Sequence, residues 1–253
     1  MDDWLKHGLA VVTGAGGGLG RALAIQLSQH GIRVAGLGRK PAGLEQTAAL
    51  AGENFTAHIC DVSDPAQVTA TFQKLGPVTL LINNAAQYPR RDFLDETAES
   101  FQQVVDTNLG GTIACTSQAL KSMVETGKGR ILNVATFADI APLPASSAYA
   151  VSKGAARIFT RALVADLGDR FPDIVITDWM PGMLATQMGI PDGLAPEIAA
   201  GWGAALALWH DPTLNGATFE MDREILPPRG LKRKVKDAML LRKPPRPRRI
   251  PLS

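Results

Sequence analysis

The sequence predicts an α/β protein, a single domain built on one doubly wound parallel sheet. Three observations carry that expectation. Short β-branched or apolar runs alternate with longer segments of helical period, the order that places parallel strands in one layer and helices on both of its faces. A glycine-rich run, Thr13-Gly14-Ala15-Gly16-Gly17-Gly18-Leu19-Gly20, lies between the first such strand and the first helical segment. The chain has 253 residues, 45% hydrophobic and 20% charged, enough for one sizeable core and short for two.

About seven strands are expected, at Leu9–Thr13, Ile32–Leu37, Thr56–Cys60, Leu80–Asn83, Arg130–Ala135, Ile174–Trp179 and Ala217–Met221, with helices filling the gaps. Asp64-Pro65 reads as a helix start, Asp64 as the cap and Pro65 in the first turn, where a missing N–H costs nothing. Thr97–Thr126 is a long helical stretch interrupted by Gly110-Gly111, each glycine costing roughly 1 kcal/mol against alanine. A second long helix spans Ser147–Gly168. The expected domain covers residues 1–222, followed by a basic, Pro-rich extension, 223–253, that is a poor candidate for the core because its prolines block regular structure.

The net charge of +2 hides an asymmetry. Residues 223–253 hold 11 Lys/Arg against Glu224 and Asp237, so the first 222 residues carry −7. A basic tail can touch nucleic acid or an anionic membrane, but aromatic interleaving is sparse; a solvated tail, or an arm on a neighbouring subunit, is the favoured expectation. Cys60 and Cys115 are too few for a disulfide framework or a four-ligand zinc site, and the four histidines lack metal-ligand spacing, so no metal is expected. The acidic N-terminus does not resemble a secretory signal, and no apolar run reaches the length of a membrane span; a cytoplasmic protein is expected.

A glycine turn after a first strand lets backbone N–H groups and a helix N-terminus hold a pyrophosphate, because no Cβ keeps the ligand away. The spacing here, Thr13-Gly14 followed by Gly18 and Gly20, is joined in chain order by Asp61, Asn83-Asn84-Ala85, Asn108, Tyr149-x-x-x-Lys153, and Pro181-Gly182 with Thr186. Together these motifs resemble the short-chain dehydrogenase/reductase family over residues 8 to about 222. The resemblance implies a Rossmann-type fold and a hydride transfer between a nicotinamide cofactor and a small carbonyl or alcohol substrate. It further implies self-association through the two long helices into a homodimer or homotetramer.

By resemblance, Gly14, Gly16, Gly17, Gly18, Leu19 and Gly20 hold the cofactor phosphates, Asp61 and Val62 the adenine, and Asn84 and Ala85 brace the site. Pro181, Gly182, Leu184 and Thr186 fold over the nicotinamide. Where the second strand ends, Leu37-Gly38-Arg39-Lys40 offers no carboxylate for a ribose hydroxyl, and Arg39 can fork onto a 2′-phosphate, so NADP(H) is expected in preference to NAD(H).

Tyr149 and Lys153 are four residues apart and share a helix face. A free tyrosine titrates at about 10, and bringing it to about 8 takes roughly 2.7 kcal/mol, which a neighbouring cation supplies. The phenol can then exchange a proton with the substrate oxygen. Resemblance implies that Lys153 also holds the nicotinamide ribose and that Asn108 completes a proton relay through an opened helix carbonyl. Thr136 occupies the position of the family's catalytic serine; it keeps the hydroxyl but adds a methyl group that stiffens χ1. About nine residues separate Thr186 from the next helix near Pro196, too few for a deep lid, so a shallow pocket is expected. The alternative is a dinucleotide-binding sensor or scaffold with little turnover.

Overall fold

The structure, a computed structural model, describes residues 3–227 and 245–251. A short helix, α1 (Asp3–Lys6), leads into β1 (Leu9–Thr13), α2 (Gly18–Gln29), β2 (Arg33–Gly38), α3 (Pro41–Ala51), β3 (Phe55–Ile59), α4 (Pro65–Leu75) and β4 (Leu80–Asn83). The second half holds α5 (Ala98–Val105), α6 (Gly111–Thr126), β5 (Lys128–Val134), α7 (Ser147–Leu167), β6 (Asp173–Met180), α8 (Pro196–Leu208), β7 (Thr218–Glu220) and β8 (Arg223–Ile225). The sheet runs β3-β2-β1-β4-β5-β6-β7-β8. Every neighbouring pair is parallel except β7 and β8.

Alternation along each strand divides the core. In β1, Ala10 and Val12 face the layer of α2 and α8, while Val11 faces α4 and α6. Leu80 and Ile82 of β4 likewise oppose Leu81, and Leu132 of β5 opposes Ile131. Strands covered on both faces must be apolar on both, which is why these runs read as continuous β-branched and leucine stretches. The chain winds outward from β1 in one direction and from β4 in the other, so the strand order reverses between them. The crevice beyond the C-terminal ends of β1 and β4 is where such sheets take ligands.

The helix starting at Pro65 is capped as its residues demand: Asp64 accepts from the N–H groups of Ala66 and Gln67 at 2.9 and 3.2 Å. The expected break at Gly110-Gly111 is a single π-helical turn, Asp106–Gly110, between α5 and α6. Extra residues in such turns recur at functional sites, and this one carries Asn108.

The sheet has eight strands rather than about seven, and the eighth lies in the segment expected to stay outside the core. β8 pairs antiparallel with β7, and the chain returns at Arg248–Ile250 to pair with it. Arg248 forks onto Glu224 at 2.6 and 2.8 Å, and Ile250 is buried in the α2/α8 layer. Prolines at 245, 247 and 251 remove donors only before and after these contacts: the N–H groups of Arg248 and Ile250 bond the Glu224 carboxylate and the Asp222 carbonyl. The rest of the basic segment, residues 228–244, and with it the expectation of a solvated tail there, lies outside the described residues. Truncating Ile250 to alanine is expected to cost about 2–5 kcal/mol of stability, the usual range for a buried isoleucine, read as a lower urea midpoint.

Candidate active site

The glycine turn is locked to the end of β4. The Thr13 hydroxyl accepts from the backbone N–H groups of Asn84 and Ala85, both at 2.9 Å, and Asn84 Nδ2 donates to the Thr13 carbonyl at 2.9 Å. Side chains are excluded from this contact. A Cβ on Gly20 would lie 2.2 Å from the Gly14 carbonyl oxygen, and one on Gly14, whose φ is +70°, would lie 2.9 Å from Asn84 Nδ2. Gly17 is the N-cap of α2 and caps none of its N–H groups through a side chain; the space above it is open. Donors of the first helical turn therefore face an open position with the positive end of the helix dipole behind them. Gly16 is held from behind by Arg21, whose guanidinium donates to its carbonyl at 2.7 Å. The side chain of Leu19 is buried in the core, which leaves only its backbone for a ligand.

The segment after β6 comes back to this turn. Pro181 is buried, Gly182 has φ +88°, and Leu184 packs in the core and bridges to Leu194. Thr186 reaches Gly18 so closely that a Cβ there would meet it at 3.3 Å. At the other end of the crevice, Arg39 is exposed just past β2 and lies 3.9 Å from Asp61. Asp61 also accepts from the N–H and hydroxyl of Ser63, and Val62 is buried where α6 begins.

Tyr149 and Thr136 meet beyond the end of β5, and Lys153, one helical turn on from Tyr149, reaches the carbonyl of that strand's last residue. Burial pushes the Tyr149 phenol up from its ordinary value, a hydrogen bond with the Thr136 hydroxyl opposes this, and the neighbouring Tyr88 phenol adds to the rise. Lys153 is buried and donates to the Val134 carbonyl at 2.8 Å. Burial lowers its ammonium to about 8, while Asp178 acts in the opposite direction. At neutral pH Lys153 is therefore cationic, and it loses that charge above about 8.

Asn108 is fully buried in the π turn, and its side chain is completely engaged. Oδ1 accepts from the Gln87 N–H at 2.8 Å, and Nδ2 donates to the Gln87 carbonyl and to Ser152 Oγ, both at 3.0 Å. Its own carbonyl accepts from the Thr112 hydroxyl at 2.9 Å, which occupies one of two lone pairs. Asn108 thus fastens the segment after β4 to the helix bearing Tyr149 and Lys153.

The substrate side falls to segments around Gln87 and Tyr88 and after β6, whose positions spacing along the chain does not fix. The Tyr88 ring stacks on that of Tyr149, centroids 4.4 Å apart and planes 20° apart. The Arg90 guanidinium sits 5.3 Å from the Tyr88 centroid and donates to the Gly189 carbonyl at 2.7 Å, tying the loop after β4 to the segment after β6. The cleft beside Tyr149 is shallow, and is lined by Pro89, Arg90, Arg91, Glu96 and residues 145–148 as well as the two tyrosines. A positive φ of 50° at Arg90 is the backbone feature of this strap, and Arg-Arg in a loop gives no sign of it. Among the described residues, no group of three His, Cys, Asp or Glu is placed to hold a metal, and no helix is long and apolar enough to cross a membrane.

The family model for short chain dehydrogenase matches residues 8–194. An uncharacterized short-chain type dehydrogenase/reductase of Sinorhizobium fredii is 31% identical over 191 residues, 74% of each chain. A 2-(S)-hydroxypropyl-CoM dehydrogenase of Xanthobacter autotrophicus is 29% identical over 211 residues, 79% of this chain and 82% of its own. Among solved structures, a short chain dehydrogenase/reductase family protein superimposes with a TM-score of 0.79 at 30% identity, covering 86% of this chain and 96% of that one. A variant of actinorhodin polyketide ketoreductase, crystallised with NADPH, gives 0.76 at 27% identity, covering 84% and 95%. With a glycine turn clamped to β4, a Tyr-Lys pair at the end of β5 and a family model matching most of its length, the chain belongs to the short-chain dehydrogenase/reductase family.

Proposed function

We propose that this protein is an NADP(H)-dependent oxidoreductase that interconverts a carbonyl compound and an alcohol. The observation that carries the proposal is the meeting of Tyr149, Thr136 and Lys153 at one strand end, beside a turn whose free N–H groups suit a pyrophosphate. The nicotinamide cofactor, when bound, supplies or accepts the hydride.

The residues of the chain handle the proton and the geometry. Gly17, with open space above it and Gly16 and Gly18 on either side, leaves room for phosphate oxygens against the start of α2, while Gly14 and Gly20 admit the close contact with Asn84 that fixes the turn; Leu19 contributes its N–H and Thr186 closes the position from above. Asn84 and Ala85 hold the floor, and Pro181, Gly182 and Leu184 shape the turn over the nicotinamide end. Thr136 orients the substrate oxygen through its hydroxyl. Tyr149 donates a proton to that oxygen in reduction and removes one in oxidation. Lys153 lowers the cost of the phenolate with its charge, and Asn108 keeps the loop after β4 and α7 in one arrangement. The fit at the turn is coherent: the space above Gly17 is open and no side chain caps the N–H groups at the start of α2.

Arg39, exposed and only weakly paired with Asp61, is available for a 2′-phosphate, and Gly38 puts no carboxylate in competition. A solved neighbour that holds NADPH supports the same preference. Replacing Arg39 with alanine is expected to weaken NADPH binding by tenfold or more, about 1.4 kcal/mol, with NADH binding unchanged; fluorescence titration of both cofactors reads the difference.

The test of the function is NADPH consumption with a panel of small carbonyl compounds. A second reading, a dinucleotide-binding sensor or scaffold, is favoured by one observation, the Tyr88 ring lying flat on Tyr149. Tight NADPH binding with no turnover across the panel would decide for it. Association into a homodimer or homotetramer is proposed through the face of α6 and α7, where an apolar groove runs past Ile113, Leu120, Val124, Phe159 and Leu163. Sedimentation tests it. A cytoplasmic location is proposed with it.

A further inference from the structure

Three polar side chains stand side by side in a part of the sheet that is otherwise apolar. Asn83 of β4 is in register with Asn133 of β5, and Asn133 with Asp178 of β6. All three are nearly fully buried and face the layer of α6 and α7. Their hydrogen bonds run in one direction. Asn83 Nδ2 donates to Asn133 Oδ1 at 2.8 Å, Asn133 Nδ2 to Thr160 Oγ1 at 2.9 Å, and the Thr160 hydroxyl to Asp178 Oδ1 at 2.6 Å. Asn83 Nδ2 also donates to Thr116 Oγ1 on α6 at 3.0 Å. A chain of donors that all point one way needs an acceptor at its end, and Asp178 is that end. Burying a carboxyl is unfavourable unless it is paired, so its place here calls for an account.

Thr160 lies seven residues after Lys153 on α7, two turns along the same face. Lys153 meets β5 at Val134, and Val134 is in register with Trp179, the residue after Asp178. The charged groups that act on Asp178 are Arg157, Arg161 and Lys153, all from α7. Of these, Arg157 is already bound to both oxygens of Asp139. The uncharged groups around the carboxyl are Thr160, Asn133 across the ladder, and Thr218 of β7 in register.

We propose that Asp178 is a positioning residue of the candidate active site: its carboxylate seats α7 on the sheet through Thr160 and keeps Lys153 in its ammonium form beside Tyr149. The proposal builds on the reading that Lys153 serves Tyr149. Burial raises the Asp178 carboxyl to about 6, with Thr160 and the three cations opposing, so the carboxylate is present at neutral pH and is lost as pH falls through about 6. Lys153, at about 8, has its charge favoured by that carboxylate.

The test is the titration of Lys153 by NMR in the full chain carrying ¹³C-labelled lysine, without substrate. In the wild type, Lys153 is expected to titrate at about 8, apart from the exposed lysines, and its resonance to show a second, smaller step near pH 6 as Asp178 takes up a proton. In Asp178→Asn, an isostere that still accepts from Thr160, the Lys153 midpoint is expected to fall by about one pH unit or more, and the small step to vanish. If turnover is found, the pH profile of alcohol oxidation moves to higher pH in the variant. A Lys153 midpoint unchanged in Asp178→Asn overturns the proposal, as does a wild-type resonance with no step near pH 6, a measurement that needs no variant to fold. A merely structural Asp178 would lower thermal stability and leave both readings where they were. Because the titration needs no turnover, a protein inactive on every carbonyl sinks the proposed activity alone, and an active enzyme with an unmoved Lys153 sinks this inference alone.

Discussion

Tyr149→Phe is expected to lower kcat for carbonyl reduction by a factor of about 10²–10⁴, the usual worth of a positioned general acid, while the Kd for NADPH stays within twofold. The substitution removes one oxygen and little else. The ring keeps its stacking on Tyr88, and Thr136 keeps its hydroxyl, now without the phenol as partner. The loss therefore reports proton transfer rather than folding or cofactor affinity. Steady-state rates with NADPH and an active carbonyl substrate, set beside a cofactor titration, separate the two. Rates within threefold of wild type would remove the phenol from the reaction. In wild type, oxidation requires the phenolate, which burial and the neighbouring Tyr88 phenol disfavour and the hydrogen bond with Thr136 favours. Oxidation should accordingly rise with pH from neutrality, read as the initial rate with NADP and an alcohol substrate.

Gly20→Ala is expected to cost both stability and cofactor affinity. The added methyl would lie 2.2 Å from the Gly14 carbonyl and 2.6 Å from Asn84 Nδ2, so either α2 retreats or the bond from Asn84 to Thr13 breaks. Overpacking of this kind costs about 1–3 kcal/mol, a fall of roughly 2–12 °C in Tm for a domain of this size. Because the displaced atoms form the phosphate turn, NADPH affinity should drop at least about tenfold in the same variant. A thermal melt and a fluorescence titration check the two parts. Full affinity in a stable variant would mean that the close contact between the turn and Asn84 is dispensable.

The parts of this molecule legible in the sequence are those encoded locally. Alternating apolar strands and helical segments gave seven of the eight strands, because residues such as Val11 and Val12 need apolar neighbours on both faces of the sheet. The glycine turn and the Tyr149–Lys153 pair were legible for the same reason: their geometry follows from spacing along one turn or one helix. What escaped is non-local. β8 is three residues long, too short for any period, and it is held by Arg248 and Ile250 from more than twenty residues away. Asp178 reads as one polar residue in a strand; only the register of β4, β5 and β6 brings Asn83 and Asn133 beside it. Tyr88 and Arg90 lie in a loop whose course is set by contacts with α7 and with the segment after β6.

The return of Arg248–Ile250 onto β8 also bears on how this protein avoids sticking to itself. An uncovered flank of a sheet is a row of unanswered amides, a template on which a foreign chain can extend the ladder. On this side the protein supplies its own final rung, with Pro245, Pro247 and Pro251 around it that refuse further rungs. The opposite flank, β3, has no further strand paired to it among the described residues, and Thr56, Ala57 and Ile59 are exposed on it. If unfolding intermediates of this protein ever template fibrils, they should start from that flank.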